Sequence, residues 1–498
     1  MPELTQKIKQ NTAYILLQNL ITPLINLVIG IYVIKKLSVA DYGIYGLLYA
    51  LIGYLTLFSS MGLLNVFQRY VPQYYQQQSF GKIKRLFEVG LGLRLLLAAF
   101  FIVLLLVAGS LLDRLFRVVN FHDYIYIFSL GIVLYLEIQL VEVTLSSLLL
   151  NKAIMISYLV STMLRGVLVY YFLERNLGLK GLLLAETIYY GFLLAQQLTF
   201  YWLQFSAQHP AEKATLPVKR LVRYGSLSYF DEIGWTILDV KTDFLIISSF
   251  LGPTLVGFYS FANQFMESIS RVLPFKMLRP LIRSVFFVKF VDASQPQQIN
   301  RYFNFLVKII AFMCFPIFLA VLAVGDKIIL YLFDVKYLPA LRLLYIFTGF
   351  MMIISFQFPL QLVVQAIEKV EINFYSNIFS IYNLAGDLLV VNLLGLTGVA
   401  LVTCSARLFQ LLFVWFRIRK LVKLQVDFKP LLRIAINSGL MLVFLYLTRG
   451  LIHNLPALII AVVAGWAVYF GCSFLNKSFF NEERKFINQL LPRPVFVF

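Results

Sequence analysis

Charged residues are scarce in this sequence. Only 13% of the 498 residues are Asp, Glu, Lys or Arg, whereas 60% are hydrophobic and the mean hydropathy is +0.82. Soluble domains have about 25% charged and roughly 45–50% apolar residues. This deficit of charge excludes an ordinary soluble protein and predicts a membrane protein.

Cysteine and histidine are also few, with three of each. The cysteines lie inside apolar segments, which argues against a disulfide framework and a cysteine metal site. The histidines are expected in loops without metal-ligand spacing, and the sequence has no P-loop, G-x-S-x-G or H-E-x-x-H motif. We therefore predict that the protein is not an enzyme and that it has no metal site and no cofactor.

Long apolar runs dominate what is present. A membrane-spanning helix needs roughly 20 apolar residues, and about fourteen segments meet this length. They lie near residues 13–34, 43–67, 87–112, 125–150, 155–173, 181–203, 224–250, 254–278, 303–325, 341–366, 373–393, 397–416, 432–449 and 457–475. The connections are too short for a soluble catalytic domain. The predicted fold class is an all-α polytopic membrane protein.

The positive charge follows the topology. Lys and Arg are concentrated in every second connection, which predicts cytoplasmic N- and C-termini. The basic clusters at 82–85, 219–223 and 417–423 are expected beside anionic lipid headgroups, most simply as solvated topology determinants. The net charge of +19 therefore indicates contact with membrane lipids and no nucleic-acid partner.

The two halves of the chain repeat each other. LGLKG at 177–181 recurs as LGLTG at 394–398, and Gly43 and Tyr45 match Gly257 and Tyr259 at nearly the same offset. Six segments separate the copies, so the repeats have the same orientation in the membrane. The predicted parts are an N-terminal lobe at 1–203, a cytoplasmic linker at 204–223, a C-terminal lobe at 224–420, and two further helices with a cytoplasmic tail at 421–498.

Segment 224–250 carries several acids. If it is one helix, Glu232 and the two aspartates Asp239 and Asp243 fall within about a 60° arc, with Lys241 on the opposite side. An ionisable group at mid-membrane costs roughly 2.5–3.5 kcal/mol, so an acidic stripe needs a wet interior. The alternative is a helix that begins later and leaves Glu232 at the cytoplasmic interface.

Arginines and further acids also lie inside apolar segments. Arg94, Arg165 and Arg407 have no acid three or four residues away, so each needs a partner on another helix or a ligand. A guanidinium group offers forked donors that match phosphate oxygens. Carboxylates, among them Glu186 and Asp387, suit Na⁺ or a transported proton. The alternative is that these charges pair with one another.

Two other cases favour purely structural roles. Glu267 and Arg271 are spaced i, i+4, so they are expected to pair. Lys308 lies within a turn or two of the cytoplasmic end of its segment, where it can extend to the interface.

Several stretches resemble a known family. They are KKLSVADYGIYGLLYAL at 35–51, GLLNVFQRYVP at 62–72, the segment from KRLVRYGSLSYF to YSFANQF at 219–265, and the two LGLxG motifs. Over residues 10–420 the chain resembles the polysaccharide or O-antigen flippases of the multidrug/oligosaccharidyl-lipid/polysaccharide exporter superfamily. That family typically has a basic residue directly after the aspartate of the seventh apolar segment, here 224–250, whereas Phe244 follows Asp243 in this sequence.

The resemblance implies two six-helix lobes around a central cavity, with the last two helices outside the repeat. It also implies a flippase that moves undecaprenyl-pyrophosphate-linked oligosaccharide from the cytoplasmic to the outer leaflet by alternating access, coupled to H⁺ or Na⁺. Partners would be the lipid-linked sugar, membrane lipids, and the polysaccharide polymerase and glycosyltransferases of the pathway. The location would be a bacterial or archaeal cytoplasmic membrane.

Two sets of residues are assigned on this hypothesis. Those predicted to hold the pyrophosphate are Arg94, Arg165 and Arg407. Those predicted to line the cavity or bind the coupling ion are Glu186, Glu232, Asp239, Asp243 and Asp387.

Three rival functions remain open. One is a cation-coupled multidrug exporter of the same superfamily. Another is a membrane polysaccharide polymerase or glycosyltransferase, and the third is a scramblase or scaffold without gradient dependence.

Overall fold

The chain folds into helices. A computed structural model describes residues 2–209, 214–237, 240–273, 282, 296–367, 369, 371–422 and 424–490. Within these ranges the regular structure is helical and there is no β-strand. The predicted all-α fold class is confirmed.

Contacts divide the chain into two compact units, Met1–Ser260 and Phe261–Phe498. The described residues of the first unit form ten α-helices and the beginning of an eleventh. In chain order these are α1 (Pro2–Lys36), α2 (Val39–Ser60), α3 (Leu63–Gln76), α4 (Phe80–Val107), α5 (Gly109–Leu115), α6 (Phe121–Ser147), α7 (Asn151–Glu174), α8 (Gly178–Tyr201), α9 (Val218–Ile237), α10 (Val240–Leu251) and α11 (Pro253–Val272).

The second unit holds the rest of α11 and the remaining described helices. These are α12 (Pro296–Leu332), α13 (Leu341–Ser355), α14 (Gln357–Ala366), α15 (Glu371–Ser376), α16 (Phe379–Val422), α17 (Phe428–Thr448), α18 (Leu455–Asn476) and α19 (Asn481–Leu490). The predicted lobe boundaries, with a linker at 204–223, stay a prediction.

Most helices suit a membrane. Eleven stretches of the described chain are long and apolar enough to cross one. One of them, Glu371–Val422, covers two predicted segments, 373–393 and 397–416. Helix α16 runs through both segments and is kinked between them at Gly395. The predicted number of about fourteen is roughly consistent with this. The protein is therefore a multi-pass membrane protein.

The repeated LGLxG motifs adopt the same local structure. Gly178 opens α8 with φ +52°, and Gly395 kinks α16 with φ +56°, a left-handed backbone that glycine adopts readily. Three residues later, a Cβ at Gly181 or Gly398 would lie 2.6 or 2.5 Å from the Cβ of the leucine four residues before it. Each motif thus starts a helix after a tight turn.

Gly43 and Gly257, which occupy equivalent positions in the sequence repeat, lie where α2 and α11 pack together in the first unit. A Cβ on Gly43 would lie 1.9 Å from the carbonyl oxygen of Pro253, and one on Gly257 would lie 2.0 Å from the carbonyl oxygen of Val39. Only glycine allows this backbone approach between α2 and the start of α11.

Helix α3 shows how the first unit builds its core. Its buried residues recur on one face, from Val66 and Phe67 to Tyr70, Val71 and Tyr74. This face packs against α4 and α6. The opposite face of α3 is exposed and carries Arg69.

A second close approach positions α9. Gly62 has φ +76° at the turn between α2 and α3, and a Cβ there would lie 2.0 Å from the carbonyl oxygen of Gly225. This contact holds α9 against the α2–α3 corner.

Two ion pairs of the second unit involve charges that were considered in the sequence. Arg271 donates to Glu267 at 2.6 Å, so the predicted i, i+4 pair is confirmed. Lys308 is buried and donates to both carboxylate oxygens of Glu483 at 2.9 and 2.8 Å. This ion pair attaches α19 to α12.

We expect Gly43→Ala to lower the melting temperature of the detergent-purified protein by several degrees. The added methyl group forces α2 and α11 apart, and overpacking costs about 1–3 kcal/mol. Gly92→Ala is the control, because nothing lies within 4 Å of a Cβ there. That variant should be unchanged or more stable, since Ala favours a helix over Gly by about 1 kcal/mol. Equal melting temperatures for wild type and Gly43→Ala would contradict the proposed contact.

Candidate functional site

The first unit contains a polar cavity of about 570 Å³. It is bounded by α2, α3, α6, α9 and α10. Its polar lining side chains are Tyr49, Thr56, Ser60, Asn65, Tyr135, Gln139, Tyr224, Ser228, Glu232, Thr236 and Lys241. In a chain as apolar as this one, such a concentration of polar groups marks the site.

Helix α9 contributes one stripe of this lining. Tyr224, Ser228, Glu232 and Thr236 are spaced four residues apart, so they lie on one face of the helix. The hydroxyls of Ser228 and Thr236 donate to the carbonyl oxygens four residues earlier, at 3.0 and 2.9 Å. These local bonds satisfy the small polar groups without help from another helix.

Glu232 is the acid of the cavity. Its carboxylate accepts hydrogen bonds from Asn65 Nδ2 at 2.5 Å and from the Ser60 hydroxyl at 3.1 Å. The two donors come from α3 and α2, so the carboxylate links three helices. The acid predicted from the sequence therefore lies in the cavity wall.

Lys241 also lies in this wall. Its side chain packs over Gly53, where a Cβ would lie 2.6 Å from Lys241 Cδ. The prediction that Lys241 points away from Glu232 is wrong. It took the direction of the Cα–Cβ bond around one helix as the position of the whole side chain, whereas the long Lys241 side chain lies over Gly53 of α2, which lines the same cavity.

The two predicted aspartates of this segment have different outcomes. Asp243 is fully buried between α10 and α11, where it accepts a hydrogen bond from the Tyr259 hydroxyl at 2.6 Å. It is not among the residues that line the cavity. Asp239 lies outside the described residues.

Arg94 lies behind the cavity and is completely buried. Its Nη2 donates to Gln139 Oε1 at 2.5 Å, and Gln139 in turn donates to Thr56 at 3.5 Å. Gln139 and Thr56 both line the cavity. Arg94 also interacts electrostatically with Glu137 and Glu232. The buried arginine thus acts on the cavity through one side chain.

Two donor nitrogens of Arg94 are unused. Its Nε and Nη1 have no hydrogen-bond partner among the described residues, and neither has either carboxylate oxygen of Glu137. Leaving buried charged groups without hydrogen bonds is costly. This pair therefore has free capacity for a ligand, a proton or an ion.

Glu137 is the site residue that the sequence assignments missed. The available signal was an acid well inside an apolar segment, but Glu142 on the same helix gives the same signal. The structure separates them, since Glu142 accepts a hydrogen bond from Tyr158 at 2.7 Å.

Arg165 has a different setting. Its Nε donates to both carboxylate oxygens of Glu186 at 3.0 and 3.1 Å, and its Nη1 donates to Asn26 at 2.7 Å. The Tyr45 hydroxyl donates to the same carboxylate at 2.9 Å. The partner lies on another helix, as the spacing required. The two predicted site residues form one buried ion pair that joins α7 and α8.

The remaining predicted residues lie in the second unit, on α16. Asp387 is fully buried and accepts a hydrogen bond from Asn383 at 3.1 Å. Arg407 is half-buried on the other side of the kink at Gly395. The three predicted arginines thus have three different environments. Searched for metal ligands, the described ranges contain no group of three or more His, Cys, Asp and Glu side chains.

Known proteins share this fold. The lipid II flippase MurJ, in an inward closed conformation, is 17% identical over 95% of this chain and 98% of its own, with a TM-score of 0.64. An inward-facing multidrug resistance MATE family transporter of the MOP superfamily is 14% identical over 83% of this chain and 98% of its own, with a TM-score of 0.65. The Vibrio cholerae MATE transporter VcmN, in a bent form, is 11% identical over 84% and 98%, with a TM-score of 0.52.

At such identities the likeness shows the fold alone. No curated protein matches the sequence. Residues 35–342 match the polysaccharide biosynthesis protein family. Since this match covers more than half of the chain, the protein belongs to that family.

Proposed function

We propose that the protein is a flippase that moves a polyprenyl-pyrophosphate-linked oligosaccharide from the cytoplasmic to the outer leaflet by alternating access. Membership of the polysaccharide biosynthesis family and the fold of membrane transporters support this. The observation that carries it is the polar cavity with Arg94 behind it, inside an apolar helical protein.

The cavity suits the polar end of such a substrate. Its volume lies within the roughly 300–1,000 Å³ of small-molecule sites, enough for a headgroup and not for a long lipid tail. Hydroxyl and amide side chains match the hydrogen-bonding groups of a sugar. The apolar tail would remain in the bilayer, where it costs no desolvation of polar groups.

Arg94 is the proposed primary ligand of the pyrophosphate. Its two unused nitrogens offer charge-assisted hydrogen bonds, which are stronger than neutral ones. To reach the phosphate, the Arg94 side chain must exchange Gln139 for the ligand. Arg407 stays a predicted phosphate ligand.

Arg165 is assigned first to holding α7 and α8 together. A ligand role for it requires that phosphate replace Glu186 in three hydrogen bonds, two from Nε and one from Nη2 of Arg165. Breaking such a buried pair costs about 3–5 kcal/mol, which makes Arg165 a poorer ligand than Arg94.

Glu232 is the proposed coupling group of the cavity, through proton or Na⁺ binding. It lies in the wall with Lys241 and interacts with Arg94, so neutralising it changes the potential that a pyrophosphate meets. Asp239, Asp243 and Asp387 are further candidates for coupling.

A cation-coupled multidrug exporter is the second candidate, favoured by the fold that the chain shares with MATE transporters. The cationic groups beside the cavity, Lys241 and Arg94, favour an anionic substrate over a cationic drug. A drug-resistance assay in an exporter-deficient strain separates the two.

The distribution of basic residues and the family resemblance support a proposal for the setting of this activity. We propose a bacterial or archaeal cytoplasmic membrane, cytoplasmic termini, and cooperation with a polymerase and glycosyltransferases. An enzyme or a scramblase fits less well, because the known proteins with this fold are named as a flippase and transporters.

Arg94→Ala should reduce surface polysaccharide at least tenfold in a strain whose own flippase is deleted, because the pyrophosphate loses its main ligand. Arg94→Lys should restore part of it, since the charge remains without the forked donors. Polysaccharide is measured by gel and the protein by membrane immunoblot. Arg175→Ala is the matched control, an exposed arginine over Tyr171 at 4.7 Å.

Loss of folding is separated from loss of binding by a second variant. Arg94→Gln with Glu137→Gln removes both buried charges, so no unpaired charge remains. It should reach the membrane normally and still fail to export. Full export by either Arg94→Ala or this double variant would refute the ligand role.

Arg165→Gln should lower the melting temperature markedly, because Glu186 is left buried without its counter-charge, at a cost of about 3–5 kcal/mol. Adding Glu186→Gln should recover most of the loss, since the neutral pair still bonds Asn26 and Tyr45. Thermal unfolding of the purified variants measures both. If the double variant is as unstable as the single one, the ion-pair explanation fails. If it is stable yet exports nothing, Arg165 is a ligand after all.

Glu232→Gln should make transport independent of an imposed proton or Na⁺ gradient. The test uses proteoliposomes and a fluorescent lipid-linked sugar, with the initial rate measured with and without the gradient. Glu88→Gln is the control, because Glu88 is exposed on α4 and paired only at 3.6 Å with Arg85. A gradient response that survives in Glu232→Gln would exclude this residue as the coupling group.

A further inference from the structure

Two arginines and two tyrosines form a cluster beside the cavity. The Arg69 guanidinium lies 4.6 Å from the ring centre of Tyr224 and 5.9 Å from that of Tyr70. The Arg220 guanidinium lies 5.4 Å from the ring of Tyr70. The two rings meet edge to face at 5.7 Å and 89°. We call these four residues the arginine–tyrosine cluster.

Sequence and burial explain how the cluster forms. Tyr70 belongs to the buried face of α3, so its ring is fixed. Arg69, one residue earlier, is exposed, and so is Arg220 in the first turn of α9. The contact between Gly62 and Gly225 holds α9 against the α2–α3 corner, which brings Tyr224 to the ring of Tyr70.

The cluster has an excess of positive charge. Among the described residues, no carboxylate lies within 4 Å of the Arg69 or Arg220 side chain. Lys219 and Arg223 add two more exposed cations on the same turns of α9. Basic side chains are unfavourable at the positive end of a helix, so an anion would relieve this arrangement.

The geometry suits phosphate oxygens. A guanidinium group held against an aromatic ring uses its face for the ring, while its N–H groups point outward from its edge. Those edges remain available for the forked hydrogen bonds that phosphate accepts. Two such groups on one ring offer donors to two neighbouring phosphates.

The cluster is continuous with the cavity. Tyr224 belongs to both, and it begins the polar stripe on α9 that continues through Ser228 to Glu232. An anion held by the two arginines would therefore lie at one end of a polar path that leads into the site.

We propose that the arginine–tyrosine cluster is a loading site for a lipid-linked diphosphate, which it binds before the headgroup enters the cavity. The proposal rests on the proposed function. Arg69 and Arg220 bind the phosphate oxygens, and Tyr70 and Tyr224 are positioning residues. The shared chemistry, a phosphate group on a lipid, also occurs in ordinary anionic phospholipids, so the experiment compares the two sources.

The test measures binding of farnesyl diphosphate to the full-length protein in detergent. We expect Arg69→Gln with Arg220→Gln to weaken binding at least tenfold, and the corresponding double Lys variant to weaken it less. Both arginines are exposed, so folding should be unaffected, which size-exclusion chromatography checks. Arg417→Gln is the matched control, because Arg417 is an exposed arginine over Phe413 at 5.5 Å. Its affinity should equal that of the wild type.

Competition identifies the source of the phosphate. Inorganic pyrophosphate should displace farnesyl diphosphate, and phosphatidylglycerol should displace it at least tenfold less well. Unchanged affinity in the double Gln variant would overturn the proposal. The basic residues would then serve only to set the orientation of the helices in the membrane. Equal competition by phosphatidylglycerol would overturn it in favour of a general lipid contact. Failure of the wild type to export polysaccharide would refute the proposed function. The affinities for farnesyl diphosphate would still decide whether the cluster binds a lipid-linked diphosphate.

Discussion

An ionisable side chain buried in an apolar membrane protein requires a partner, and this requirement organises both units. Arg165 and Glu186 join α7 to α8, and Lys308 and Glu483 join α12 to α19. The first pair spans 21 positions and joins consecutive helices, whereas the second spans 175 positions. A charge that is costly alone therefore becomes a specific link between two helices.

Arg94 and Glu137 are the exception that points to function. They are as deeply buried as the paired residues, yet two arginine nitrogens and both carboxylate oxygens have no hydrogen-bond partner among the described residues. Gln139 connects this pair to the polar cavity. Buried charged groups that lack hydrogen bonds and lie next to a cavity can exchange their few protein contacts for contacts with a ligand.

The internal repeat preserves local structure more than chemistry. Tyr45 and its counterpart Tyr259 each donate a hydrogen bond to a buried carboxylate, Glu186 in one case and Asp243 in the other. The first carboxylate is paired with an arginine, whereas the second lies on α10, just beyond the acidic stripe of α9. The turn geometry of the LGLxG motifs is kept almost unchanged. Repeat symmetry thus maintains helix packing, while the charges around it have diverged.

The sequence by itself determined the all-α polytopic class, the repeat, and the need of each buried arginine for a partner beyond its own helix. Apolar length and local spacing carry that information, because they act within one helix or one turn. Only the tertiary structure decided that Arg165 meets Glu186, that Lys241 shares a wall with Glu232, and that Glu137 is unsatisfied while its neighbour Glu142 is not. Helical periodicity gives the direction of a side chain around one continuous helix. What lies in that direction depends on how segments distant in sequence pack together.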